Sequence, residues 1–410
     1  MKFFFPDSHD MVDPSFDFIR ERRKFSGSRQ QSQCYAHEVL TEPPYDGMLL
    51  SKAMVDPLED SKSVRYSFTQ VQRLKRLGVR EFLRLDRPGL GKRLETMGDC
   101  GAFSYVNAPE PPFSIENVVE FYMDCQFDYG ISPDHVILGF QDDSSDKPIP
   151  QEWRDRFEIT LDRANQFITQ HRQQNLPFTP MGAAQGWSPS SYADAVTRLE
   201  AMGYDYIALG GMVPLKSSEL VASLEAVSKV KKAATRLHLL GITRLEIIDE
   251  FKKHGVTSID STSPLKKAFM DNKENYHTPG YNYTAVRIPQ VDGNNQLKKL
   301  ILAGHIEFGN ARKLELACFE GLMEYDQGKL PLDTLIQRLA EYEAVWHGKK
   351  DDSANYRKTL EDKPWKHCRC SICKKLGIHV VLFRGAERNR SRGFHNLYVL
   401  RNRLVEAVSK

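Results

Sequence analysis

The chain has 410 residues, 40% of them hydrophobic and 27% charged, and this balance excludes a disordered or fibrous protein and predicts a sizeable folded core. A formal net charge of +3 is too small to require a polyanionic partner, and an odd count of 7 cysteines without a regular framework points to a reducing compartment. Met1-Lys2-Phe3-Phe4-Phe5-Pro6 is too short for a signal peptide and no apolar run reaches transmembrane length, so a cytoplasmic location without membrane contact is expected.

Residues 1–44 are polar and mixed, with a short strand possible at 3–5, and they read as an N-terminal extension. From about residue 45, short apolar runs alternate with segments of helical period. Strands are predicted at 47–50, 81–85, 102–106, 135–140, 178–183, 206–209, 236–240 and 257–260, with helices between most of them. Eight such runs predict a (β/α)8 TIM barrel over residues 45–292, with a doubly wound sheet as the competing arrangement. Residues 275–292, rich in Tyr, Asn, Gly and Pro, read as a loop or hairpin. Helices are predicted at 301–325 and 331–346, and the polar stretch 349–352 marks a boundary. Residues 293–410 read as a C-terminal helical and zinc-binding subdomain.

The last part of the chain carries the densest signal. Cys368, Cys370 and Cys373 fall within six residues, and His395 follows in Gly393-Phe394-His395-Asn396-Leu397. Thiolates with an imidazole make a tetrahedral Cys3His zinc site, with His395 preferred as fourth ligand over His367 or His379. Four protein ligands leave no position for a reacting water, so this zinc is expected to be structural. Lys374, Lys375, Arg384, Arg388, Arg390, Arg392, Arg401 and Arg403 surround it in sequence. Such a run is either a solvated face or a surface that holds phosphates.

Chemistry in a barrel is expected where strands end and loops begin. Those positions give Asp99, then Gln141 and Asp142, Gln185, the pair Gly210-Gly211, Leu240, and finally Asp260. A lone Asp at a strand end is commonly a helix cap, and a Gly pair can be only a tight turn. Together they describe two carboxylates, an amide and exposed backbone N–H groups facing one pocket, with Phe103 and Leu240 as apolar walls. That pocket suits a flat heterocycle such as a nucleobase. Two carboxylates also suit glycosidic chemistry, one as nucleophile and the other as acid/base.

The ordered motifs resemble the tRNA-guanine transglycosylase family over about residues 97–400. Asp99-Cys100-Gly101-Ala102-Phe103 is similar to that family's Asp-Ser-Gly-Gly-Phe/Tyr, Ala184-Gln185-Gly186 to its Val-Gln-Gly, and Ala208-Leu209-Gly210-Gly211-Met212 to its Ala-x-Gly-Gly-Leu. Leu239-Leu240-Gly241-Ile242 and Gly255-Val256-Thr257-Ser258-Ile259-Asp260 match two further motifs, and the zinc signature and His395-Asn396-Leu397 complete the set. The resemblance implies Asp260 as nucleophile on C1′, Asp99 as acid/base, Gln185 and the Gly210-Gly211 backbone as readers of the base edge, and Phe103 as a stacking ring. It places Gln141, with Asp142 beside it, where the family has a base-reading aspartate, and Leu240 where it has a clamping methionine.

The family's segment after the nucleophile is replaced by Ser261-Thr262-Ser263-Pro264-Leu265-Lys266-Lys267. With Phe3-Phe4-Phe5-Pro6-Asp7-Ser8 at the start and the basic stretch ending in Arg392-Gly393-Phe394-His395-Asn396, these departures resemble the DNA-acting, DpdA-type branch of 7-deazaguanine modification systems. The branch implies exchange of guanine in DNA for preQ0 (7-cyano-7-deazaguanine) and an accessory NTPase as partner. The alternatives are the same exchange on tRNA, or a non-catalytic nucleic-acid-binding paralogue.

Overall fold

The computed structural model describes residues 1–24, 32–56, 66–87, 90–347 and 351–409; residues 349 and 350 of the polar boundary at 349–352 lie outside them. Strands β1 (Lys2–Pro6), β2 (Gly47–Ser51), β3 (Glu95–Asp99), β4 (Tyr129–Ile131), β5 (Thr179–Ala184), β6 (Tyr206–Leu209), β7 (Arg236–Leu239) and β8 (Val256–Asp260) form a closed barrel in chain order. Every neighbouring pair is parallel, and β1 closes on β8 with Phe4 opposite Asp260. Helices including Phe68–Phe82, Ile115–Cys125, Gln151–Gln174, Pro189–Met202 and Ser217–Val230 connect the strands. The barrel expected from the sequence is present.

Its interior is filled by inward side chains from successive strands, Phe4, Leu49, Met97, Ile131, Met181 and Tyr206 among them. A filled interior makes the barrel a packed core, so only the strand ends and loops are available for chemistry. Small residues appear where a ring needs the space. A methyl group on Gly47 would lie 2.6 Å from the Phe4 ring, and one on Gly98 or Gly130 would lie 2.4 or 2.6 Å from the Tyr122 ring.

Four expectations need correction. The Phe3–Phe5 run is a central barrel strand, so residues 1–44 are not one extension. Residues 81–85 cap the end of helix Phe68–Phe82, with Leu83 and Leu85 buried by that packing. Residues 102–106 form a 3-10 turn, Ala102–Tyr105, entered through Gly101 at φ 81°. Residues 135–140 carry no strand; beyond the end of β4 this apolar run is buried at 135–137 and comes to the surface at Leu138.

The chain divides into two compact units: Met1–His9, Tyr45–Thr262 and Leu404–Lys410, which contain the barrel, and Asp10–Pro44 with Ser263–Arg403. Within the second unit, helices Phe308–Asp326 and Leu332–His347 pack on each other, and β9 (Tyr276–His277) pairs with β10 (Asn282–Tyr283) as a hairpin. Three arginines of this unit's basic run, Arg384, Arg388 and Arg392, are buried in internal bonds rather than on a solvated face. Arg384 is buried in ion pairs with Glu21 and Glu315, each at 2.6 Å. Arg392 is fully buried and donates to the carbonyls of Val380 and Leu382 at 3.2 and 3.1 Å; Arg388 is buried against Glu21. These three guanidinium groups are turned into the fold, while Lys374 and Lys375 are exposed and Arg390, Arg401 and Arg403 are half-buried. Among the described residues no helix is long and apolar enough to cross a membrane.

Candidate active site

Each strand of the barrel delivers its last residues to one rim, and the polar groups gather there. Asp99 ends β3. Its Oδ2 accepts from Ser51 Oγ at the end of β2 (2.8 Å) and from the Gly101 backbone N–H (3.0 Å). Burial raises the Asp99 pKa above the usual carboxylate range, and the charge of Asp260 adds to the rise. Asp260 ends β8 and is buried. Its Oδ1 accepts from the Gly241 backbone N–H at 3.0 Å and lies 3.1 Å from His238 Nε2.

A third carboxylate, absent from the sequence reading, lies deeper. Asp134, three residues past β4, is buried, and Gln185 Nε2 donates to its Oδ2 at 2.5 Å. Gln185 Oε1 accepts from the Ile137 backbone N–H at 3.2 Å, so both ends of the amide are held. The glycine pair is dictated by this amide. A methyl group on Gly210 would lie 2.2 Å from Gln185 Nε2, and one on Gly211 (φ +74°) would lie 2.4 Å from the Ile137 carbonyl oxygen. Tyr192 supports the same turn by donating to the Gly210 carbonyl at 2.8 Å. Leu240 packs against the barrel core, and Phe103 is 53% exposed on the turn after Asp99.

Gln141 and Asp142 do not join this group. Gln141 Nε2 donates to the Lys147 carbonyl at 2.6 Å, and Asp142 is exposed, accepting from the Ser144 backbone at 2.9 Å. They stabilise their own loop. The sequence reading placed the end of the fourth strand at 140 instead of 131, which carried the search past Asp134. The usable signal was Ser132-Pro133-Asp134, a carboxylate immediately after a short run containing glycine. His238 was also passed over, a single imidazole inside the apolar run Leu237–Leu239.

Burial pushes Asp134 up to about 7, and the neighbouring charge of Asp99 contributes. Between about pH 4 and 7 the folded chain therefore holds a proton that the unfolded chain has released, so this group's contribution to stability falls as pH rises through that window. A tenfold change in proton affinity is worth about 1.4 kcal/mol, which makes the effect on the order of 2 to 4 kcal/mol above pH 7. Asp134→Asn is expected to raise the melting temperature relative to the parent at pH 8 and to leave it unchanged near pH 4. Equal shifts at both pH values in thermal unfolding would contradict a proton held at Asp134.

In the second unit, Cys368, Cys370, Cys373 and His395 form a cluster that could hold a metal ion, their ligand atoms all within 4.8 Å of one another. The sulfurs lie 3.5, 3.5 and 3.3 Å from His395 Nδ1. A tetrahedron built on ordinary zinc–sulfur and zinc–nitrogen lengths has an S···N edge of about 3.6 Å, so the donor set fits. His395 Nε2 donates to the His277 carbonyl at 2.7 Å, which leaves Nδ1 unprotonated and directed at the sulfurs. Tyr276 stacks on the imidazole at 4.1 Å and its hydroxyl lies 3.2 Å from Cys373 Sγ. His367 and His379 stand outside this cluster.

A closed α/β barrel with buried carboxylates and a rigid amide at the C-terminal ends of its strands has the architecture of a barrel enzyme. No family model matches the chain. A curated protein of Salmonella montevideo named DNA-guanine transglycosylase is 47% identical over 417 residues, an alignment covering 100% of this chain and 98% of that protein. The chain belongs to the DNA-guanine transglycosylase family, whose members are glycosyl-transferring enzymes.

Proposed function

We propose that this chain exchanges guanine in DNA for the 7-deazaguanine preQ0, with Asp260 as nucleophile and Asp99 as acid/base. The observation that carries the reading is the pair itself. Asp99 and Asp260 end β3 and β8 at one rim, and burial, with the charge of Asp260, raises the Asp99 pKa. Double displacement at a sugar carbon requires two carboxyl groups, one to give and take the proton and one to attack.

In the first half, an Asp260 oxygen bonds to C1′ as the C1′–N9 bond breaks. The electron pair leaves on guanine, which takes the Asp99 proton. In the second half, the incoming base gives its N9 proton to Asp99, its nitrogen attacks C1′, and Asp260 departs as carboxylate. No nucleotide is consumed in these bond changes. Asp134 takes the base-reading role, with Gln185 and the Gly210-Gly211 backbone completing the polar edge. A carboxyl with a pKa of about 7 can accept from a purine's N1–H when ionised or donate when protonated. Phe103 supplies a stacking face and Leu240 an apolar one.

A guanine within a duplex cannot reach this rim, so the target nucleotide must be flipped or the strands opened. The accessory NTPase of such systems is the partner suited to that task, and the cytoplasm, where DNA and reduced cysteines coexist, is the expected location. The Cys3His cluster binds zinc and tethers the hairpin Tyr276–Tyr283 to the helix that carries His395. It supplies no group to the reaction.

Incubation with plasmid DNA and, separately, with tRNA in the presence of labelled preQ0, followed by digestion to nucleosides, tests the substrate. Label in a deoxynucleoside is expected. Label confined to tRNA would overturn the DNA reading while leaving the exchange chemistry in place.

A further inference from the structure

His238 is fully buried in the middle of β7, among the side chains that fill the barrel, where an aliphatic residue would be ordinary. Its hydrogen bonds define both its tautomer and a direction. A carboxylate only accepts, so Nε2, 3.1 Å from Asp260 Oδ1, carries the proton. Nδ1 is then an acceptor, and Ser258 Oγ donates to it at 2.7 Å. The Tyr206 hydroxyl in turn donates to Ser258 Oγ, so three buried side chains form one chain of donors ending on the candidate nucleophile. A chain of this kind polarises in one sense and resists rotation of any member.

Both hydrogen bonds to the Asp260 carboxylate, from His238 Nε2 and from the Gly241 backbone, fall on the same oxygen, Oδ1. An oxygen holding two donors has its lone pairs committed and its charge partly neutralised. Oδ2 keeps the more available electron pair.

We infer that His238 is a positioning residue that holds Asp260 through Oδ1 and thereby selects Oδ2 as the atom that bonds to C1′, its own tautomer being set by Ser258 and Tyr206. This rests on the proposed role of Asp260. As the Oδ2–C1′ bond forms and the C1′–N9 pair leaves on the base, Oδ1 becomes the carbonyl oxygen of the ester and keeps both donors. When the incoming base attacks C1′, the same donors stabilise the carboxylate that departs. His238 neither gives up nor receives a proton in either half.

The test uses His238→Phe, His238→Gln and Ser258→Ala beside Asp260→Asn in the full chain, with kcat and KM measured for exchange of labelled base into DNA. Phe keeps the ring without a donor, whereas the Gln amide can place an N–H near the position of Nε2. His238→Phe is expected to lower kcat about 10- to 100-fold, the usual effect of misplacing a reacting group by about 1 Å, with KM for base and DNA little changed. His238→Gln should recover most of that loss. Ser258→Ala, which removes the partner of Nδ1 and with it the acceptor of the Tyr206 hydroxyl, should lower kcat several-fold and covers the case in which the Phe variant does not fold. Full activity in His238→Phe, equal losses in the Phe and Gln variants, or an unchanged kcat in Ser258→Ala would each overturn the positioning role. Asp260→Asn separates this from the underlying reading: activity in that variant removes the nucleophile itself, whatever the His238 variants do.

Discussion

Asp260→Asn is expected to abolish base exchange, by at least about 10⁴-fold, while leaving the melting temperature within a few degrees of the parent. The side chain is buried at the end of β8, its Oδ1 held by the Gly241 N–H at 3.0 Å. An asparagine oxygen can still accept that bond, so the local backbone has no reason to move. On the proposed reading, what disappears is the oxygen that would form the ester to C1′; an amide is too weak a nucleophile to replace it. The same variant should fail to form a denaturant-stable protein–DNA adduct, which for the parent is expected to appear as a slower band on a denaturing gel. Undiminished exchange by this variant would sink the nucleophile assignment.

Cys370→Ser is expected to lose both the metal and the integrity of the second unit. The three sulfurs and His395 Nδ1 come from two separated segments, 368–373 and the helix Gly385–Ser409. An ion bound there joins them directly. Structural zinc in such donor sets contributes roughly 10 to 16 kcal/mol of apparent binding free energy at neutral pH, comparable with the roughly 5 to 15 kcal/mol that holds a whole domain together. Cys370 is also the N-cap of the helix Ser371–Leu376, its Sγ accepting the Cys373 N–H at 3.3 Å. Serine is a good cap, so this substitution removes the ligand while retaining the helix start. Elemental analysis should show zinc falling well below one equivalent, with aggregation or a large drop in melting temperature. A stable, active and zinc-free Cys370→Ser protein would remove the structural role.

The later half of the barrel was legible because β5 to β8 follow the rule that buried parallel strands are short apolar runs between helices. In the earlier half only β2, expected at 47–50 and present as Gly47–Ser51, was counted in its place. In β3 and β4, Gly98 and Gly130 resemble turn residues in the sequence, but in the fold they make room for the Tyr122 ring. β1 was set aside because its neighbours in sequence are polar, although its partners in space are β2 and β8. The apolar run 135–140 looked more like a strand than Tyr129–Ile131 does, because its first residues, 135–137, are buried beyond the end of β4 with the Ile137 carbonyl against Gly211.

The same distinction runs through the site. Asp99, Gln185, Gly210, Gly211 and Asp260 could be singled out as candidates because each lies beside a strand end with its own local pattern. Asp134 required knowledge of where β4 stops, and His238 required knowledge of which face of β7 looks inward. Two arginines of the basic run show the opposite case, since Arg384 and Arg388 became buried ion pairs once Glu21 and Glu315 met them.

The sequence by itself determined the alternating architecture, the carboxylates at β3 and β8, and the three thiols, because these depend on spacing along the chain. Only the tertiary structure decided which carboxyl lies beside Gln185, that His395 completes the Cys3His cluster, and that a buried imidazole holds Asp260 by one oxygen. These depend on contacts between residues far apart in sequence, and hydrogen bonds acting over about 3 Å exist only once the fold has closed.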